Sequence, residues 1–94
     1  MVPTDDELAS MIVASAKGRH YFQHGDFVID IRRRTGRGVM GWFACAWLDS
    51  IGVTGKHYVT LIEGDLGIEA LRSMFDELED RKAEIMLELL KASG

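Results

Sequence analysis

The chain has little of what stabilises secreted or membrane-spanning proteins. Its one cysteine, Cys45, rules out an intramolecular disulfide, which argues against a small secreted disulfide scaffold. The longest run of apolar residues, interrupted by a single glycine, is Val39 to Leu48, which is ten residues. That is about half the length of a transmembrane helix. The first seven residues include three acidic ones and no basic one, whereas a signal peptide begins with basic residues. We therefore expect a cytoplasmic protein without membrane association.

Basic charge is also scarce. Eleven lysines and arginines stand against fifteen aspartates and glutamates, which gives a formal net charge of −4. Most nucleic-acid-binding domains have a basic balance or a basic stripe. The totals therefore disfavour a protein built mainly to neutralise phosphates, and a single local cluster of arginines is the one exception.

What is present is typical of a globular protein. Of the 94 residues, 47% are hydrophobic and 28% are charged, so the chain can bury a core. This length suits one domain spanning residues 1–94, with no room for a second core.

Two helices are predicted at the ends of the chain. Thr4 and Glu7 have the spacing of a capping box, which predicts a short helix from Asp5 to Lys17. Apolar residues at helical spacing predict a second helix of 26 residues from Leu66 to Lys91, with Lys82 at the one place where the apolar stripe is interrupted.

Between the helices, three segments favour strands: residues 27–34, 39–48 and 56–63. Residues 19–23 fit either a strand or an irregular lead-in. The predicted fold is therefore α+β with the order α-β-β-β-α. We expect a three-stranded antiparallel meander packed against a long C-terminal helix, together with the short N-terminal helix.

Alternation within the first two strands predicts two different sheet faces. A turn centred on 36–37 makes the numbers of paired residues sum to 73. The pairs expected on the core face are Ile31 with Trp42, Ile29 with Ala44 and Phe27 with Ala46. Those on the second face are Asp30 with Phe43, Val28 with Cys45 and Arg32 with Gly41.

The second face combines aromatic residues with arginines, and something is expected to cover it. One alternative is that the N-terminal helix packs on it. The other is that a partner protein binds there, because tryptophan and arginine are frequent at binding hot spots. The residues predicted to contact a partner are Arg32, Arg34, Arg37, Phe43 and Trp47.

The predicted C-terminal helix is longer than the sheet. At 1.5 Å per residue it would span about 39 Å, whereas an eight-residue strand spans about 26 Å. Unless the helix breaks, its apolar end needs either the first helix or a second copy of the chain. We therefore predict a homodimer, against the alternative of a compact monomer. The residues predicted to self-associate are Leu78, Ile85, Met86 and Leu89.

Signals for catalysis or metal binding are weak. His20, His24 and Asp26 have the residue types of a metal site, but no second ligand pair accompanies them, so turn histidines are the simpler interpretation. Cys45 lies in the middle of a strand between two alanines, which favours a small buried side chain over a nucleophile paired with His57. We expect no enzyme activity, no cofactor and no metal.

The sequence thus favours a non-enzymatic module that binds a partner protein stoichiometrically. Its size is common among accessory and inhibitor proteins of phages and mobile elements. The alternative is a nucleic-acid-binding module that uses the arginine hairpin from Arg32 to Arg37, where Arg33 and Arg34 complete the cluster.

Overall fold

A computed structural model describes residues 1–34, 36, 38 and 41–93. In chain order the elements are α1 (Asp5–Ala16), β1 (Tyr21–His24), β2 (Phe27–Arg33), β3 (Gly41–Leu48), β4 (Tyr58–Glu63), α2 (Ile68–Asp80) and α3 (Lys82–Ser93). The α+β class is confirmed. The predicted count of three strands is wrong, because residues 21–24 form a further strand that pairs with β2.

The N-terminal helix begins at the predicted capping box. Thr4 Oγ1 accepts a hydrogen bond from the Glu7 N–H at 3.3 Å, and the Thr4 N–H donates to Glu7 Oε1 at 3.1 Å. Gly18 follows the helix at φ 92°, a conformation that favours glycine. Local sequence alone thus places both ends of α1 to within one residue.

The four strands form one antiparallel sheet in the order β1-β2-β3-β4. Residues 27 and 48 face each other across β2 and β3, so paired numbers sum to 75 instead of the predicted 73. The predicted partners are therefore wrong by two residues: Ile31 pairs with Ala44, and Arg32 pairs with Phe43. Since side chains alternate with a period of two, this shift leaves every residue on its predicted face.

All three helices contribute to a single core on one face of the sheet. Leu8 of α1 is fully buried in the same cluster as the core-facing residues of the strands. Small residues of the central strand, Ala44 and Ala46, belong to this cluster, and α3 approaches β3 closely. The helical members of the cluster include Leu71, Phe75, Leu78, Ile85 and Leu89.

The predicted single C-terminal helix is wrong because the chain breaks at Arg81. This residue has φ −107° and ψ 19°, and it separates α2 from α3 directly before Lys82, which interrupts the apolar stripe. Its guanidinium donates to both Glu77 and Glu84, which bridges the two helices. No Pro or Gly lies at the break. Ile85 and Leu89 of α3 belong to the same core cluster as the buried residues of α2.

The break removes the premise of the predicted dimer. Leu78, Ile85 and Leu89 are at most 2% exposed within the chain itself, and Met86 is half-buried against the core. No overhanging apolar end remains for a second copy to cover at these four residues. None of the helices in the described part of the chain is long and apolar enough to cross a membrane.

Gly41 at the start of β3 provides a test of this packing. Its φ is 147°, and an added Cβ would lie 2.5 Å from the backbone oxygen of Ile62. We expect Gly41→Ala to lower the free energy of unfolding by about 1–3 kcal/mol, from backbone strain and steric conflict. Urea denaturation followed by circular dichroism measures this change.

The control is Gly67→Ser. An added Cβ at Gly67 meets nothing within 4 Å, and serine is a better N-cap for α2 than glycine or alanine. This variant should be at least as stable as the wild type. Equal stability of Gly41→Ala and wild type would contradict the close approach of β3 and β4.

Candidate interaction surface

The sheet face opposite the helices is composed of strand residues alone. Because the core cluster takes one set of alternating side chains, the other set points away from α1, α2 and α3. We call this second set the open face. Its members are Tyr21, Gln23, Val28, Asp30, Arg32, Phe43, Cys45, Trp47, Val59, Leu61 and Glu63.

The first alternative considered for this face, cover by the N-terminal helix, is not what the structure shows. Leu8 of α1 packs in the core, and α1 lies against α2. Several apolar side chains of the open face consequently remain accessible: Val59 is 52% exposed, Leu61 is 61% exposed and Tyr21 is 51% exposed. Phe43 lies between them and is half-buried.

Arg32 is fixed in position on the open face. Its Nε donates to both carboxylate oxygens of Asp30 at 3.0 Å, and its Nη2 donates to the Tyr21 hydroxyl at 2.7 Å. Hydrogen bonding to Asp30 raises the pKa of the Arg32 guanidinium, and the charge of Asp30 adds to the effect. With 42% of its side chain exposed, Arg32 presents an oriented donor beside apolar surface.

Trp47 is more buried than we expected for a residue that contacts a partner. Its ring stacks on His57 at 5.0 Å and meets the edge of Tyr21 at 5.9 Å, and the residue is only 6% exposed. The Nε2–H of His57 donates to the Val53 carbonyl oxygen at 2.8 Å, which anchors the loop before β4. In this arrangement Tyr21 and His57 lie on the solvent side of Trp47, and the Trp47 ring supports both of them.

The arginines do not form one patch. Arg32 lies on the open face, whereas Arg33 belongs to the opposite set of side chains and places its guanidinium 5.5 Å from the centre of the Trp42 ring. Arg34 is half-buried, and its backbone N–H donates to the Gly41 oxygen. The predicted contact at Arg37 lies outside the described residues. Alternation along β2 therefore divides the cluster that the sequence shows as continuous.

The cysteine and histidine side chains considered for catalysis or metal binding are buried or take part in hydrogen bonds and ring packing within the chain. Burial raises the pKa of the Cys45 thiol, and the charge of Asp30 raises it further, which disfavours the reactive thiolate. His24 lies 2.8 Å from Glu79 and packs edge-on against Phe75, while Nδ1 of His20 lies 2.9 Å from the Ile31 oxygen. Among residues 1–34, 36, 38 and 41–93, no group of three or more His, Cys, Asp or Glu side chains is arranged to hold a metal ion.

Sequence reasoning missed three accessible members of the open face: Tyr21, Val59 and Leu61. Tyr21 lies in the segment that fitted either a strand or an irregular lead-in. Val59 and Leu61 alternate with Tyr58, Thr60 and Ile62, and this period of two was the available signal for a second exposed row.

Comparisons with protein-family models, with curated proteins and with solved structures found no match to this chain. The function is therefore argued from the open face itself.

The accessibility of Cys45 tests this description of the open face. Since Cys45 is only 8% exposed and the pKa of its thiol is raised, we expect the thiol to react with a thiol reagent about a hundredfold or more slowly in native than in denatured protein. The rate is measured by absorbance at pH 8. A Thr54→Cys variant, which adds a thiol on an exposed loop, should show one fast and one slow thiol. Fast reaction of native Cys45 would contradict the packing around it.

Proposed function

We propose that this protein is a small binding module that acts by stoichiometric contact of its open face with a partner protein. The observation that carries the proposal is a partly apolar sheet face that α1, α2 and α3 leave uncovered. Isolated exposed apolar residues are ordinary, but a contiguous group on a sheet is a feature of interaction sites. Phe43 and Leu61 are direct neighbours across β3 and β4, which makes the group contiguous.

The chemistry of the face favours a protein over a nucleic acid. Asp30 neutralises Arg32, and Glu63 adds a negative charge at the end of β4. An oriented arginine next to tyrosine and phenylalanine is the composition of a protein-binding hot spot. Binding through the arginine hairpin stays an alternative prediction, and separation of Arg32 and Arg33 onto different faces counts against it.

The proposed role is non-enzymatic, of the accessory or inhibitor type. Stoichiometric binding requires a preformed surface and no reactive group, which agrees with the inert environment of Cys45. A reducing, cytoplasmic setting is part of the proposal because the chain's single cysteine is a buried structural residue.

The test is selection of ligands from a displayed peptide or small-domain library against immobilised wild-type protein. Binders to the open face should lose about tenfold or more in affinity on Phe43→Lys and on Arg32→Ala, since these changes remove central contacts. Leu87→Lys is the matched control, because Leu87 is 53% exposed on α3, away from the sheet. It should leave binding unchanged.

Two results would count against the proposal. Binders that tolerate Phe43→Lys and Arg32→Ala but lose affinity on Leu87→Lys would move the site to the helices. Binding of a labelled oligonucleotide that weakens steeply with added salt would favour the arginine hairpin instead, because counterion release drives such binding.

A further inference from the structure

The outer edge of β4 carries unpaired backbone groups. The Arg34 N–H donates to the Gly41 oxygen, and antiparallel pairs alternate in their hydrogen bonding. Odd-numbered residues of β3 therefore bond to β2, and even-numbered ones bond to residues 58, 60 and 62 of β4. The N–H and C=O groups of Val59, Leu61 and Glu63 point to the open edge, where the described residues supply no further strand.

This edge lacks the features that normally protect a sheet from association. Residues 58–62 read Tyr-Val-Thr-Leu-Ile, without proline, glycine or charge, and all favour strands. The opposite edge, β1, has only four residues, including Gln23 and His24. An accessible strand of six residues with exposed Val59 and Leu61 is a template for pairing with another strand.

Charges at the two ends of β4 indicate which partner fits. Lys56 and His57 precede the strand, whereas Glu63 ends it and Asp65 follows it, and Lys56, Glu63 and Asp65 are exposed. If a second copy of β4 lies antiparallel, each basic end meets an acidic end, and twofold symmetry makes both contacts alike. A parallel arrangement would place like charges together.

We propose that β4 pairs antiparallel with β4 of a second copy, so that Thr60 lies opposite Thr60 of that copy. The backbone N–H and C=O groups that point to the open edge belong to odd-numbered residues. Odd-numbered residues of one copy must therefore pair with odd-numbered residues of the other. This register brings Val59 opposite Leu61, Tyr58 opposite Ile62 and His57 opposite Glu63. The first pair is apolar, the second joins an aromatic to a β-branched side chain, and the third is polar. Cross-strand pairs of these kinds stabilise antiparallel sheets.

Space exists for the second strand. A groove of about 290 Å³ runs between β4 and α2, and its wall includes the small side chains Ala70 and Ser73. Thr60 of the second copy would lie on the side of the sheet that faces this groove. The two sheets then become one of eight strands, and their open faces join into one surface. The dimer rests on the edge and its charges and does not depend on the proposed partner protein.

The experiment is a charge exchange followed by light scattering with size-exclusion chromatography over a range of concentrations. The wild type should have twice the chain mass of 10.5 kDa. Lys56→Glu and Glu63→Lys each place like charges at both ends of the interface, so each alone should dimerise about tenfold or more weakly. Mixed in equal amounts, the two variants should form a heterodimer, because both ends are again complementary.

A backbone variant locates the edge independently of charge. Leu61→Pro removes an N–H that points to the open edge and has no acceptor among the described residues, so the protein should stay folded but become monomeric. Leu61→Val keeps the N–H and should remain dimeric. Circular dichroism confirms the fold of each variant.

A wild type that is monomeric at every concentration would overturn this interface. A dimer that withstands Leu61→Pro, or charge variants that fail to recover on mixing, would place the contact elsewhere. These outcomes are distinct from those for the partner protein, which are read from Phe43→Lys and Arg32→Ala in the central part of the open face.

Discussion

The packing of all three helices on one side of the sheet determines what the other side presents. Phe27, Ile29 and Ile31 of β2 point into the core, where the helices remove them from water. Because side chains alternate along a strand, the intervening residues must point the opposite way. With α1 in the core, no helix of the described residues covers this face, and His57 from the loop before β4 stacks on Trp47 at one end of it. Core formation and an open face are thus two results of one arrangement.

The helix break at Arg81 completes that arrangement. An unbroken helix of this length would extend beyond the sheet, whereas two helices of 13 and 12 residues, separated at Arg81, both bury apolar residues in the core. Arg81 bonds to Glu77 on one side and Glu84 on the other. These contacts are exposed and contribute little stability, so burial of Ile85 and Leu89 is the main gain from the turn.

Two features of the surface lead to two kinds of proposed contact. The open face offers side chains, with Arg32 held by Asp30 and Tyr21 beside Phe43. The edge of β4 offers backbone hydrogen bonds with charges of opposite sign at its ends. A side-chain surface selects a partner by shape and chemistry, whereas a strand edge accepts any compatible strand unless charge restricts it. The charges around β4 make a second copy the compatible choice.

The sequence by itself determined the α+β class, the capped start of α1, the strands β2, β3 and β4, and the division of β2 and β3 into two faces. These features depend on capping residues and on periodicity, which act within a few residues. It also indicated that Cys45 is a buried side chain. Only the tertiary structure decided the pairing sum of 75, the strand at Tyr21–His24, the break at Arg81 and the side on which α1 packs. Each of these depends on strand pairing or on burial against the sheet, where pairing and packing outweigh local preference.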